Sequence, residues 1–139
     1  STRIIVWKNW RWKDYATTKK VEKVKKNNSL KEDISFENFK SLDFLIGKII
    51  SIKKNKNKNS LSVKVDVKHQ ILNVVSRGNY KMDLKSVLGQ KVVVLVNIKP
   101  FKIDGFYSEG VILLAKDENG NSSFIFPDNQ EVEIGSKIH

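Results

Sequence analysis

The chain has 139 residues, 40% of them hydrophobic, with no cysteine and two histidines. That length suits one ordinary domain with an extension and a core that needs no disulfide. The missing thiols exclude disulfide and thiolate metal sites, and His69 with His139 make a poor zinc set. A formal net charge of +11 favours polyanions, meaning nucleic acid or an anionic membrane face, with a merely solvated lysine-rich surface as the bland alternative.

No apolar run approaches the roughly 18 residues that span a bilayer, and no secretory leader is evident, so a cytoplasmic protein with no membrane partner is expected. The start at Ser1 marks a processed chain or a piece of a longer one. Residues 1–33 carry ten Lys or Arg against four Asp or Glu, hence +6 of the total, and all three tryptophans. RIIVWKNWRWKDY reads as a hairpin turning at Lys8-Asn9, with Trp7 facing Trp10 and Ile5 facing Trp12. The rings would either pack on protein or stack on bases. TKKVEKVKKNN, residues 18–28, reads as a frayed basic helix or linker. A separate domain is expected over 34–139.

Within it, Ser35 caps a short helix that sets Phe36 and Phe39 on one face. FLIGKIISI, 44–52, is a strand whose Gly47 signals a bend or bulge. KKNKNKN, 53–59, is a loop that offers Lys53, Lys54, Lys56 and Lys58 as phosphate contacts. LSVKVDV alternates with period two, which puts Leu61, Val63, Val65 and Val67 inside and Ser62, Lys64 and Asp66 outside. Residues 71–75 form its partner strand, and 82–88 a short helix ended by Gly89. Val92 to Val96 and Val111 to Ala115 are strands joined by a basic, aromatic loop. DENGN, 117–121, is a turn, 123–126 a last strand, and 127–135 a loop. About five short strands with a small helix between the third and fourth is the pattern of an OB-type barrel. The fold expected is therefore all-β: a five-stranded OB-fold barrel with short helices and a basic N-terminal extension.

The loop joining those two strands combines cations and rings, the groups that attract phosphate and stack bases. Lys99 and Lys102 supply charge, while Phe101, Phe106 and Tyr107 supply rings that would stack or seal the barrel end. In an OB-fold the ligand groove crosses strands 2 and 3 between the first-second and fourth-fifth loops, and both loops are basic here. No Gly-rich phosphate loop, metal-ligand set or nucleophile with a base occurs, so neither catalysis nor a cofactor is expected.

ISFENFKSLDFLIGKI at 34–49, NVVS at 73–76, GQKVVVLVNIKPFKIDGFYSEGVILLA at 89–115 and PDNQEVEIGSKI at 127–138 together resemble the tRNA-binding domain. That family includes free-standing tRNA-binding proteins, the C-terminal appendix of methionyl-tRNA synthetases, and endothelial monocyte-activating polypeptide II. The resemblance implies a non-catalytic OB-fold that recognises tRNA by shape, as an accessory or appended module of an aminoacyl-tRNA synthetase. By position, Asn97, Lys99 and Pro100 match N-L-K-P, and Ser108, Glu109 and Gly110 match S-E-G-M. Val111 replaces the usual methionine of that motif. Ser76 belongs to V-V-S-G, with Arg77 where its glycine would stand. Short relatives ending where Ile138 ends pair through the entry helix and terminal strands, which implies a homodimer with Phe36 and Phe39 at the contact. The resemblance also extends to a peptide-binding, chaperone-like branch, and a docking role for the Trp-rich extension in a multi-synthetase complex is a third reading.

Overall fold

Strand β1 (Phe44–Lys54) is the spine of the protein. The computed structural model describes residues 30–139, so the tryptophan hairpin and basic helix expected over 1–28 lie outside the described residues. β1 pairs along one edge with β2 (Ser60–Asp66), which pairs in turn with β3 (Ile71–Arg77). Its other edge meets β5 (Lys91–Leu95), and β5 meets β8 (Val111–Ile112). The five strands run β3-β2-β1-β5-β8, every pair antiparallel, and curl into a half-barrel of OB type. Ser35–His139 form one unit around the apolar side of this sheet.

The helix expected after Ser35 is α1 (Phe36–Lys40), capped by the Ser35 hydroxyl, which accepts from the Asn38 amide at 3.1 Å. The alternation in β2 resolves as expected: Leu61, Val63, Val65 and Val67 are buried with Ile49, Leu72, Val74, Val92, Val94 and Ile112. Gly47 is buried in β1, and a Cβ there would lie 2.4 Å from a Val65 methyl. It is therefore a close-packing glycine rather than the bulge. The bulge falls one turn of the pleat later, where the register moves from Ile49 opposite Val65 to Ser51 opposite Lys64. Ile50 is the extra residue, so Ile52 returns to the inward face opposite Val63, and the sheet gains the twist it needs to curl.

Several expected elements change. The loop expected at 53–59 starts only after Lys54, because Lys53 and Lys54 still pair with Ser62 and Leu61 as the end of β1. The second apolar run breaks at Leu113 into β8 and β9 (Leu114–Lys116), because β8 completes the main sheet while β9 pairs with β10 (Asn121–Phe124) in a second, three-stranded sheet. That sheet is finished by β4 (Asn79–Tyr80), parallel to β10. The last strand starts at Asn121 rather than 123, since the Asp117 carboxylate accepts from the amides of Asn119 and Asn121 at 2.9 Å and closes the turn early. The loop between Asn97 and Gly110 contains a hairpin, β6 (Phe101–Ile103) and β7 (Phe106–Ser108). Its two-residue turn, Asp104-Gly105, has φ of +52° and +86°, the sign pattern whose twist matches paired strands.

The short helix before Gly89 is a single 3-10 turn, Leu84–Val87, capped by Asp83, and it delivers Val87 to the core. A terminal strand, β11 (Lys137–Ile138), pairs with Phe44 and Leu45 and carries the C-terminus beside α1.

Candidate nucleic-acid interface

Strand register alone builds the outer face of β1, β2 and β3. Beyond the bulge, Ser51 lies opposite Lys64 and Lys64 opposite Asn73; one row over, Lys53 lies opposite Ser62 and Ser62 opposite Val75. Cross-strand neighbours on one face are about 5 Å apart, so these six side chains form two continuous rows. Hairpin β6–β7 walls one side with Phe106 and Tyr107, and the enclosed groove is about 520 Å³. Phe106 is 45% exposed and Tyr107 63%. The Lys102 ammonium, across the hairpin from Tyr107, lies 5.1 Å from that ring's centre.

The S-E-G turn sews this wall to the edge of β3. Ser108 is 0% exposed; its hydroxyl accepts from the Val75 amide at 2.9 Å and donates to the Gly110 carbonyl at 2.7 Å. The Glu109 carboxylate accepts from the Asn73 amide at 2.7 Å, and the Glu109 amide donates to the Asn73 carbonyl at 2.8 Å. A Cβ on Gly110 would stand 2.8 Å from the Leu95 carbonyl oxygen, so no side chain fits there. The hairpin tip is held separately: Arg77 at the end of β3 meets the Asp104 carboxylate at 2.6 Å. That hydrogen bond, with Ser60 contributing less, keeps the Asp104 carboxyl below its usual range. Much of Arg77's charge is thereby matched within the protein.

The residues singled out from sequence therefore separate. Lys53, Phe106 and Tyr107 line the groove, and Lys102 stands over Tyr107. Ser108, Glu109 and Gly110 form the seam behind it, and Arg77 the latch at its end. Val111 is half-buried in β8 opposite Leu95. Lys99 and Pro100 are exposed on the approach to β6. Asn97 is spent elsewhere: its carboxamide accepts from the Asp43 amide at 2.8 Å and donates to the Ser41 carbonyl at 2.7 Å, tying the end of α1 to the end of β5.

Ser76 faces inward and is buried. Lys54 and Lys58 line a different, smaller hollow of about 70 Å³ with Asn79, Tyr80 and Leu84. Lys56 is exposed in the turn, which Asn55 pins by donating to Ser60 and accepting from Ser62, both at 3.0 Å. Ser51, Ser62, Lys64 and Asn73 complete the groove and were not singled out, although the alternation of LSVKVDV already turned Ser62 and Lys64 outward.

Away from the groove, Phe36 and Phe39 stack at 6.1 Å with Lys40 over Phe36, and both rings are exposed. With Leu42, Phe44 and Ile138 they line an apolar hollow of about 260 Å³. Among the described residues no group of three His, Asp or Glu is arranged to hold a metal ion, and no helix is long and apolar enough to cross a membrane.

Known proteins share this architecture. A crystal structure of a methionyl-tRNA-synthetase-related protein from Pyrococcus horikoshii superposes with a TM-score of 0.68 at 24% identity, covering 78% of this chain and all of that one. The chaperone CsaA of Bacillus anthracis gives the same score at 23% identity and the same coverage, so both likenesses concern the fold. In sequence, the methionine–tRNA ligase of Thermococcus onnurineus is 34% identical over 122 residues, 86% of this chain and 16% of the ligase. That of Christiangramia forsetii is 36% identical over 110 residues, again 16% of the relative. The chain thus spans about one sixth of the length of these relatives. The family model described as "Putative tRNA binding domain" matches residues 44–137, from the start of β1 into β11, and the chain belongs to that family.

Proposed function

We propose that the chain is a non-catalytic tRNA-binding module, acting in the cytoplasm as an accessory or appended domain of an aminoacyl-tRNA synthetase, the methionyl enzyme first among them. The observation that carries this reading is the groove on the family's fold, where Lys53 and Lys64 stand beside two exposed rings. Lysines attract the phosphate backbone and the rings offer stacking surface, so affinity comes from charge and shape rather than from chemistry done on the RNA. The net +6 carried by residues 1–33 adds non-specific attraction. The exposed Phe36 and Phe39 beside β11 support pairing of two copies through that patch.

Filter binding of total tRNA at two salt concentrations, with a non-tRNA RNA as competitor, tests this. The expected result is tRNA retention that resists the competitor and weakens with salt, at a log-log slope of roughly 0.7 to 0.9 per phosphate contacted. No retention, or a flat salt response, rejects it. Retention of unfolded polypeptide in place of tRNA favours the chaperone-like reading.

A further inference from the structure

One side chain in the groove has both a donor and an acceptor to spare. Asn73 is exposed and its backbone N–H and C=O are both taken by Glu109, while its carboxamide makes no hydrogen bond among the described residues. It shares the groove with Phe106 and Tyr107 and sits opposite Lys64. A carboxamide presents one donor beside one acceptor, the complement of the adenine edge formed by N6 and N7. A base inside an A-form helix hides that edge in a deep, narrow groove, whereas an unpaired base exposes it and leaves its face free to stack.

Building on the tRNA-binding reading, we propose that this groove takes one unstacked adenine of a single-stranded RNA segment. Tyr107 and Phe106 stack on the base, the Asn73 carboxamide reads its edge, and Lys53 and Lys64 hold the flanking phosphates. The volume of about 520 Å³ lies within the range of roughly 300–1,000 Å³ usual for small-ligand sites. Glu109 becomes a positioning residue. Its two hydrogen bonds fix the Asn73 backbone and so set where the carboxamide stands, without Glu109 touching RNA. Arg77 stays outside the site because Asp104 already matches its charge.

Competition anisotropy on the full chain tests the idea. A labelled oligoadenylate is displaced by unlabelled oligoadenylate, oligouridylate or oligocytidylate of equal length at fixed salt, with tRNA binding measured in parallel. The expected result is that oligoadenylate competes about tenfold better than the pyrimidine oligomers. Asn73→Ala erases that preference and Glu109→Ala does the same. Glu109→Gln, which keeps an oxygen able to accept from the Asn73 amide, restores it. Equal competition by all three oligomers in the unmodified chain, with tRNA still bound, overturns the adenine site and leaves tRNA binding standing. Loss of every RNA, tRNA included, overturns both. A preference that survives in Asn73→Ala, or displacement by an acidic peptide as effective as oligoadenylate, also overturns the adenine site.

Discussion

Ser108 has a hydroxyl that satisfies two buried backbone groups at once, the Val75 N–H and the Gly110 C=O. Ser108→Ala removes the bridge and adds nothing in return, so unfolding in urea should show a loss of about 1–3 kcal/mol, the cost of stranding buried polar groups. An unchanged midpoint would place the hydroxyl's role elsewhere. Tyr80 shows the opposite imbalance. Its ring stacks on Phe124 at 5.4 Å, yet its hydroxyl is buried with no hydrogen-bond partner among the described residues. Burial pushes the phenol from 10.0 up to about 12. The folded chain therefore holds this proton more tightly than the unfolded one. Its contribution is complete below pH 10 and is lost as pH rises through about 12. Compared across that window, the unmodified chain should lose stability relative to Tyr80→Phe; parallel curves would contradict the burial account.

At the level of elements, hairpin β6–β7 is attached to β3 at its base by Ser108 and Glu109 and at its tip by Arg77–Asp104. The tip contact is the weaker hold, since Arg77 is well exposed and exposed ion pairs contribute little. Asp104→Ala should therefore speed amide hydrogen exchange at Phe106 and Tyr107 while leaving β1 and β2 protected, a local opening rather than a global one. Because the Asp104 carboxyl is depressed below its ordinary 3.8, the latch is fully present above that pH and is lost as pH falls through the lowered value. The unmodified chain should show the same hairpin-specific acceleration on acidification, and uniform acceleration across the sheet would argue against a separate latch. The Asp-Gly turn was a legible hairpin signal, but the surrounding Pro, Lys and Phe residues read as open loop. The break at Leu113 was hidden because β8 and β9 form one apolar run in sequence and differ only in which sheet each joins. The alternation in β2 and the cap at Ser35 were legible because both depend on residues a few positions apart.

For the molecule as a whole, the groove depends on contacts that sequence spacing does not reveal. Asn97 reaches back 54 residues to Asp43, Glu109 reaches 36 to Asn73, and Ser108 reaches 33 to Val75. The motif residues were recognisable as a set, whereas their division into seam, latch and lining required the register of β2 on β3. Elsewhere on the surface, Phe36 and Phe39 predict association. Replacing both by Glu should turn a dimer into a monomer in sedimentation equilibrium, and a chain that is already monomeric at micromolar concentrations would remove the pairing proposal. On the proposed function, RNA lies across β1, β2 and β3. Amide chemical-shift mapping of the full chain titrated with tRNA tests it most directly. Shifts should concentrate at Ser51, Lys53, Ser62, Lys64, Asn73, Phe106 and Tyr107; shifts confined to the Phe36–Phe39 patch or to the hollow around Tyr80 would rule that placement out.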